Sequence, residues 1–498
     1  MKPIAPLFTS LAISSVIGSL RRSTVLSPAH PMVLATLLGT SLSLPISFAH
    51  AAPEMMPSHN ASQSELVNRG AYVARQADCM GCHKEDYSGG VAVEAPMGTI
   101  YATNITPSIK YGIGNYTEQD FKKALTKGKS PTHHLYPAMP YPDYNAMTDE
   151  DISALFAYFQ TVPAVDEAPE HKTQLPFPFN IRTVMLGWNI VNMPKWQARD
   201  GLNDTQKYGQ YLVDNLAHCG TCHTPRNATL GYDMNKYLSG SMLGNWYAPN
   251  ITPDASSGIG SWSEAEIVTY LRQGKIHQKA VASGPMNEVV YNSTRYLSDK
   301  DLSAIASYLK AVPAITTEDT VQPVNTAALP SEHSPNMTFD LLAQMDYLKQ
   351  AKAQAKSPGE SLYLNQCASC HGVNGYGQPD AGYAPIVGIS SLRRDNPAPV
   401  ISVVAHGIQQ VPNTRPRMPG FKDELSAEEM AQVVNYVRTT FGGLSNSKVS
   451  ADDINGQLKR GDSAPFLIKN AGWLAGLGII AGLIVLALLI RSLFRRRA

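Results

Sequence analysis

Cysteine is scarce in this chain of 498 residues and none of it is spare, because all six cysteines fall inside three Cys-x-x-Cys-His segments. No thiol is left over for a chemistry outside those segments. Net charge is almost absent as well, with 41 Lys and Arg against 40 Asp and Glu. Lacking a broad cationic face to neutralise phosphates, the chain is not expected to take nucleic acid as a partner. Charged residues are only 16% of the sequence and apolar ones 43%, a globular composition rather than a disordered one. One hydrophobic core does not suffice for this length, so several domains are expected.

Two long apolar runs stand near the ends. The first, Met32 to Phe48, is broken by Pro45, is preceded by Lys2, Arg21 and Arg22, and is followed by the small-x-small segment Ala49-His50-Ala51. Residues 1–51 therefore read as an export signal. The residues flanking Arg21-Arg22 fit a twin-arginine motif poorly, and general secretion is expected. The second run, Ala471 to Ile490, has no polar break and is long enough to cross the hydrocarbon core as one helix. Arg491, Arg495, Arg496 and Arg497 follow it at once and belong on the cytoplasmic side. The expected topology is a single pass through a bacterial cytoplasmic membrane, with the body of the chain in the periplasm.

Compared with itself, the chain shows one pattern three times. Each copy opens on a glycine with a tyrosine close behind, Gly70 and Tyr72, Gly209 and Tyr211, Gly359 and Tyr363, and reaches a Cys-x-x-Cys-His segment soon after. Each closes on a helix cap, Thr148, Ser298 or Ser426, with Asp or Glu three positions on and apolar residues at helical spacing behind it. Tyr158, Tyr308 and Tyr436 fall on the apolar faces of these closing helices and are expected to pack rather than to react. The first two copies also share Asn104-Ile105-Thr106-Pro107 and Asn250-Ile251-Thr252-Pro253. Asn-Ile-Thr has the form of a glycosylation acceptor, but an Asn shaping a loop before Pro is the better reading. The boundaries expected are 52–170, 196–315 and 354–445 for the domains, 446–469 for a polar linker that stands the body off the membrane, 470–490 for the span and 491–498 for the basic tail. Each domain is expected to have its own core.

Cys-x-x-Cys-His is the spacing of covalent c-type haem attachment. Two thiols a helical turn apart add to the two vinyl groups of one haem, and the adjacent histidine is then placed to ligate the iron. Thioredoxin-type pairs and plain disulfides do not require the histidine, and a zinc site needs a second ligand pair. Three haems follow, held by Cys79 and Cys82, Cys219 and Cys222, and Cys367 and Cys370, with His83, His223 and His371 as axial ligands. The sixth ligand decides between electron carriage and ligand chemistry, since a thioether stabilises ferrous iron while an open position invites oxygen or peroxide. Met139, Met286 and Met418 stand eight to twelve residues ahead of the three closing caps, in loops shaped by Pro or Gly. Met97, Met147, Met234 and Met242 read as packing side chains. Met286 lacks a following Pro, so His277 is the rival ligand for the middle haem; His133 and His134 are expected to line a surface or a haem edge.

With these features placed, the chain resembles the cytochrome c subunit of membrane-bound, quinone-reducing periplasmic dehydrogenases acting on alcohols, gluconate, fructose, sorbitol or aldehydes. The carriers of the likeness are Gly98 to Pro107, Leu135 to Tyr141 and His218 to Arg226. The resemblance implies an all-α chain of three tandem class I cytochrome c domains and one transmembrane helix. It implies a partnership with a catalytic flavin or quinoprotein subunit, in some cases with a small third subunit, and ubiquinone as electron acceptor. No substrate chemistry belongs to this chain itself. The transmembrane tail favours a partner of the sugar-acid or polyol type, such as gluconate dehydrogenase, over quinoprotein alcohol dehydrogenase or aldehyde dehydrogenase. A donor to a terminal oxidase keeps the same sites, whereas a haem peroxidase requires a domain without its methionine.

Overall fold

The computed structural model describes residues 62–331, 341–378, 382–408, 417–460 and 466–495, so the expected export signal and the end of the basic tail lie outside the described residues. The helices that matter below are α1 (Gln63–Gln76), α2 (Asp149–Phe159), α3 (Val184–Asn192), α4 (Asp204–Tyr211), α5 (Gly284–Asn292) and α6 (Asp299–Ala311). They continue with α7 (Pro358–Gln366), α8 (Ala427–Thr440), α9 (Ala451–Lys459) and α10 (Ala471–Arg495). The chain is mainly helical rather than wholly so. Three two-stranded antiparallel hairpins are present among the described residues: β1 (Ala92–Ala95) with β2 (Gly98–Tyr101), β3 (Ser241–Leu243) with β4 (Trp246–Ala248), and β5 (Lys275–Ile276) with β6 (Ala280–Val281).

In every repeat the opening helix crosses the closing one at its glycine. A Cβ on Gly70 would lie 1.9 Å from the Ala154 carbonyl oxygen, one on Gly209 2.0 Å from that of Ala304, and one on Gly359 2.4 Å from that of Gln432. Any larger residue would push the two backbones apart, which is why glycine opens each copy. The closing helices α2, α6 and α8 start at Thr148, Ser298 and Ser426, whose hydroxyls accept from the backbone N–H three residues on. Each such cap stabilises its helix by about 1 kcal/mol. The second repeat has one residue more between its tyrosine and its first cysteine than the first repeat has. A π-type turn at Leu212–Leu216 takes up that residue and keeps the attachment segment in place.

The first two repeats do not have separate cores. A single cluster runs from Val73, Phe121, Ile152 and Phe159 in the first to Leu212, Ile267, Leu302 and Tyr308 in the second. The contact is reciprocal. Tyr72 on α1 donates to Asp301 on α6 and accepts from the Ser298 N–H at 2.8 Å. Tyr211 on α4 donates to Asp151 on α2 at 2.6 Å and accepts from the Thr148 N–H at 3.2 Å. The third repeat does carry its own core, built on Tyr363, Val387, Ile401, Val434 and Phe441. A repeat spacing that fits whole domains predicts independent cores, but two similar copies can also be complementary to each other.

The stretch expected to be a free linker is partly structured. Ser450 caps α9, Ile454 is buried in the third core, and Gln457 donates to the Asn245 carbonyl at 2.7 Å. Beyond residues 461–465, which lie outside the described residues, α10 has a window from Ala471 to Leu488 with mean hydropathy 2.3 that is not buried against the rest of the chain.

Candidate haem sites

Each Cys-x-x-Cys-His segment forms a short helical turn, Cys79–His83, Gly220–His223 or Ala368–His371. The imidazole that follows is oriented from behind. His83 Nδ1 lies 2.6 Å from the Thr103 carbonyl oxygen, His223 Nδ1 2.6 Å from that of Pro249, and His371 Nδ1 2.9 Å from that of Ala384. A carbonyl can only accept, so Nδ1 carries the proton and Nε2 is left with its lone pair, the form that ligates a metal. Burial lowers the affinity of all three rings for a second proton.

The carbonyls in the first two repeats are positioned by the Asn-Ile-Thr-Pro turns. Asn104 accepts from the N–H of Thr106 at 2.8 Å and donates to the Val165 carbonyl at 2.8 Å. Asn250 accepts from the N–H of Thr252 at 2.8 Å and donates to the Ile315 carbonyl at 2.7 Å. Both side chains are buried and fully engaged, which agrees with loop shaping and leaves neither available to a glycan.

All six thiols are free of disulfides. Burial pushes the Cys79, Cys219 and Cys367 thiols up to about 12 and those of Cys82 and Cys222 to about 11. Such thiols are poor nucleophiles, unlike the low-pKa cysteine of a dithiol oxidoreductase. Among the described residues, no group of three or more His, Cys, Asp or Glu side chains comes together to hold a metal ion. Each thiol pair thus stands with its single histidine. In the third repeat Arg438 keeps Nε and Nη1 buried without a hydrogen-bond partner, with Asp395 and Asp319 in electrostatic range.

Met139 and Met286 pack, half-buried, on the shared core together with Cys79 and Cys219, and Met418 packs on the third core with Cys367. The Met418 loop is pinned by a pair of backbone hydrogen bonds to Ile408, at 2.9 and 3.2 Å. Met286 departs from expectation in one respect: it sits in the first turn of α5 rather than in an open loop, because Pro285 at the second helical position is compatible with a helix start. His277 is exposed, in the turn between β5 and β6. His133 and His134 sit in the loop before Met139, where His134 stands opposite Lys129 in an antiparallel bridge closed by the Leu135 N–H to the Gly128 carbonyl and the Ser130 N–H to the His133 carbonyl. Of the methionines read as packing residues, Met147 is buried in the shared core and Met97 packs on a small cluster with Tyr136, while Met234 is largely exposed.

Sequence reading missed the residues by which the first two sites touch. Asp143, just after the Met139 loop, accepts from Tyr232 at 2.5 Å and from Thr221 at 3.2 Å, inside the second attachment segment. Conversely Glu288, on the Met286 helix, lies within electrostatic range of Cys82 and Asp78 in the first. Cys222 in turn lies within electrostatic range of Cys82. No motif announces these residues, since their partners lie far away in sequence. Burial raises the Asp143 carboxyl to about 7 in spite of its hydrogen bonds. The folded protein therefore keeps a proton that the unfolded chain loses near 3.8, and stability falls as pH rises between those two values. Asp143→Asn is expected to flatten this dependence. Thermal unfolding followed at the Soret band should show a midpoint that drops by several degrees from about pH 4 to 7 in the wild type and by less in the variant.

Three attachment turns, each with a histidine oriented by a backbone carbonyl and a methionine on the same core, have the make-up of a c-type cytochrome. Residues 67–163 match the cytochrome c family, and residues 354–437 match the family of cytochrome C oxidase, cbb3-type, subunit III. Over longer spans the chain is 39% identical to the fructose dehydrogenase cytochrome subunit of Gluconobacter japonicus, covering 90% of this chain and 96% of the relative. It is 35% identical to the cytochrome c subunit of alcohol dehydrogenase (quinone) of Gluconacetobacter polyoxogenes, over 86% and 92% of the two chains. It is 34% identical to the gluconate 2-dehydrogenase cytochrome c subunit of Pantoea cypripedii, over 85% and 93%. The chain belongs to this family of dehydrogenase cytochrome c subunits, and it is an electron-transfer subunit.

Proposed function

We propose that the chain carries three c-type haems on three tandem class I cytochrome c domains and relays electrons from a catalytic dehydrogenase subunit to ubiquinone. The axial pairs in this reading are His83 with Met139, His223 with Met286, and His371 with Met418. The observation that carries it is the threefold recurrence of one arrangement: two thiols, a histidine whose Nδ1 is tied to a carbonyl, and a methionine on the same core. Six-coordinate irons have no position for a substrate, so the chemistry left to them is electron exchange. Haem supplies the redox change; the chain supplies attachment, axial ligands and exclusion of water. Between the second and third sites, Trp246 lies against Gly284, two residues before Met286, and its ring is 6.1 Å from that of His406, which precedes the Met418 loop. That aromatic contact supports a relay across the two repeats.

The α10 helix serves as a single-pass anchor in this reading, with the haem domains in the periplasm. Identity of 39% to the fructose dehydrogenase subunit, against 37% and 35% to two alcohol dehydrogenase subunits and 34% to the gluconate dehydrogenase one, supports a sugar dehydrogenase as partner. The test is purification of the chain together with its catalytic subunit. Three haems should survive acid-acetone extraction and a denaturing gel, and substrate should reduce a ubiquinone analogue through them. Two haems or fewer, or reduction of an oxidase in place of the quinone, would overturn the reading.

A further inference from the structure

The connector between the first and second repeats has an inner and an outer face of opposite character. Its inner face is a strap over the Met139 loop. Tyr136 donates to the Phe179 carbonyl at 2.6 Å, Tyr141 donates to Asn189 at 2.7 Å, and Leu175 and Met185 close a small buried cluster with Ile100 and Tyr136. Its outer face is apolar and bare. Phe177, Ile181 and Leu186 are about half exposed, and Ile190 and Val191 are 80% and 70% exposed. Isolated exposed apolar residues need no explanation, but a contiguous set on one helix and its lead-in does.

Two observations say what covers it. The strap meets the first turn of α10: a Cβ on Gly472 would lie 3.4 Å from the Phe177 carbonyl oxygen. The bare face therefore continues from the point where the apolar helix begins. The charge of the connector is also of one sign. Between Glu170 and Asp200 there is no acidic residue, while Lys172, Arg182, Lys195 and Arg199 are basic. Arg182 and Arg199 are engaged inward, on Tyr136 and Tyr308, and Lys172 and Lys195 are the exposed pair. An apolar face with exposed lysines at its two ends and no acid between them is the composition of an element that lies in the interface of a bilayer with anionic lipids.

We infer that the strap, residues 177–191, is a second membrane contact, lying in the headgroup layer and fixing the Met139 side of the first repeat against the bilayer. The inference rests on the reading of α10 as a transmembrane anchor. A catalytic partner subunit covering the same face is the competing occupant, and exposed lysines with no acid between them, on a strap that meets the start of the span, favour lipid.

The test uses the full haem-loaded chain in vesicles of phosphatidylethanolamine and phosphatidylglycerol doped with a diazirine-tailed phosphatidylcholine. After irradiation, lipid adducts are mapped on peptides. Adducts are expected on 177–191 as well as on 471–490. The double substitution Ile190→Asp with Val191→Asp should lower strap labelling several-fold while leaving labelling of the span and the haem spectrum unchanged. Labelling of the span alone would overturn the inference and leave the anchor standing. Labelling of neither would remove the anchor and the inference with it. Strap adducts that vanish when the catalytic subunit is bound would assign the face to protein and overturn the inference as well.

Discussion

Gly209→Val is expected to strip two of the three irons of their methionine ligands while the third keeps its own. At this position even a methyl group would stand 2.0 Å from the Ala304 carbonyl oxygen and 2.8 Å from Tyr308 Cβ, so α4 and α6 must separate. Overpacking of this kind costs ~3 kcal/mol or more, a large part of the stability of an ordinary domain. The damage should not stop at the second repeat. Leu212, Leu302 and Tyr308 belong to the same cluster as Val73 and Phe159, and both Cys79 and Cys219 rest on it. The haems stay attached through their thioethers, so the loss appears as high-spin signal and carbon monoxide binding at two irons. The third core is distinct, and its iron should remain low-spin. Loss at one iron alone, or at all three, would show that the cores are coupled differently.

Changing Met286 to Ala is expected to open one iron without disturbing the fold. Met286 is half-buried on the shared core, whereas His277 is exposed in the turn of a hairpin. The variant should bind carbon monoxide at a single haem. Its potential should fall while the other two stay put, because the thioether stabilises ferrous iron. Quinone reduction in the assembled complex should slow or stop, and substrate oxidation with an artificial acceptor should continue. His277→Ala should change none of these. An unchanged Met286→Ala spectrum together with an opened His277→Ala iron would assign the middle haem two histidines.

Much of the site was legible because its residues are close in sequence. The cysteines and histidine of each attachment segment share one turn, and the caps at Thr148, Ser298 and Ser426 are set by residues three positions apart. The loop-shaping role of Asn104 and Asn250 was legible for the same reason, through bonds to the N–H groups two residues on. What escaped depends on distant pairs. Tyr72 and Asp301 each belong to a recognisable repeat, yet nothing local says that one repeat's tyrosine reads the other's carboxylate. Asp143 and Glu288 follow the methionines in sequence, and their significance comes from the attachment segment that each approaches across the interface. The polar stretch ahead of the span read as a spacer because its buried apolar anchors, Val449 and Ile454 with Leu458 packed beside them, are few and set among polar residues.

The reciprocal tyrosine and carboxylate contacts also fix how this chain can be assembled. At these tyrosines and carboxylates the surface that the first repeat offers is the surface it receives, so the pair is an approximately isologous dimer whose two halves happen to be joined by a connector. An isologous contact is saturated once made and cannot recruit another copy. The third repeat must dock by other means, and it does so through Arg394, which donates to the Ser257 carbonyl at 3.3 Å, and through the Ser390 N–H to the Lys279 carbonyl at 2.8 Å. The three repeats are thus a closed pair plus an appended unit, and only the appended contact can change without disturbing both members of the pair.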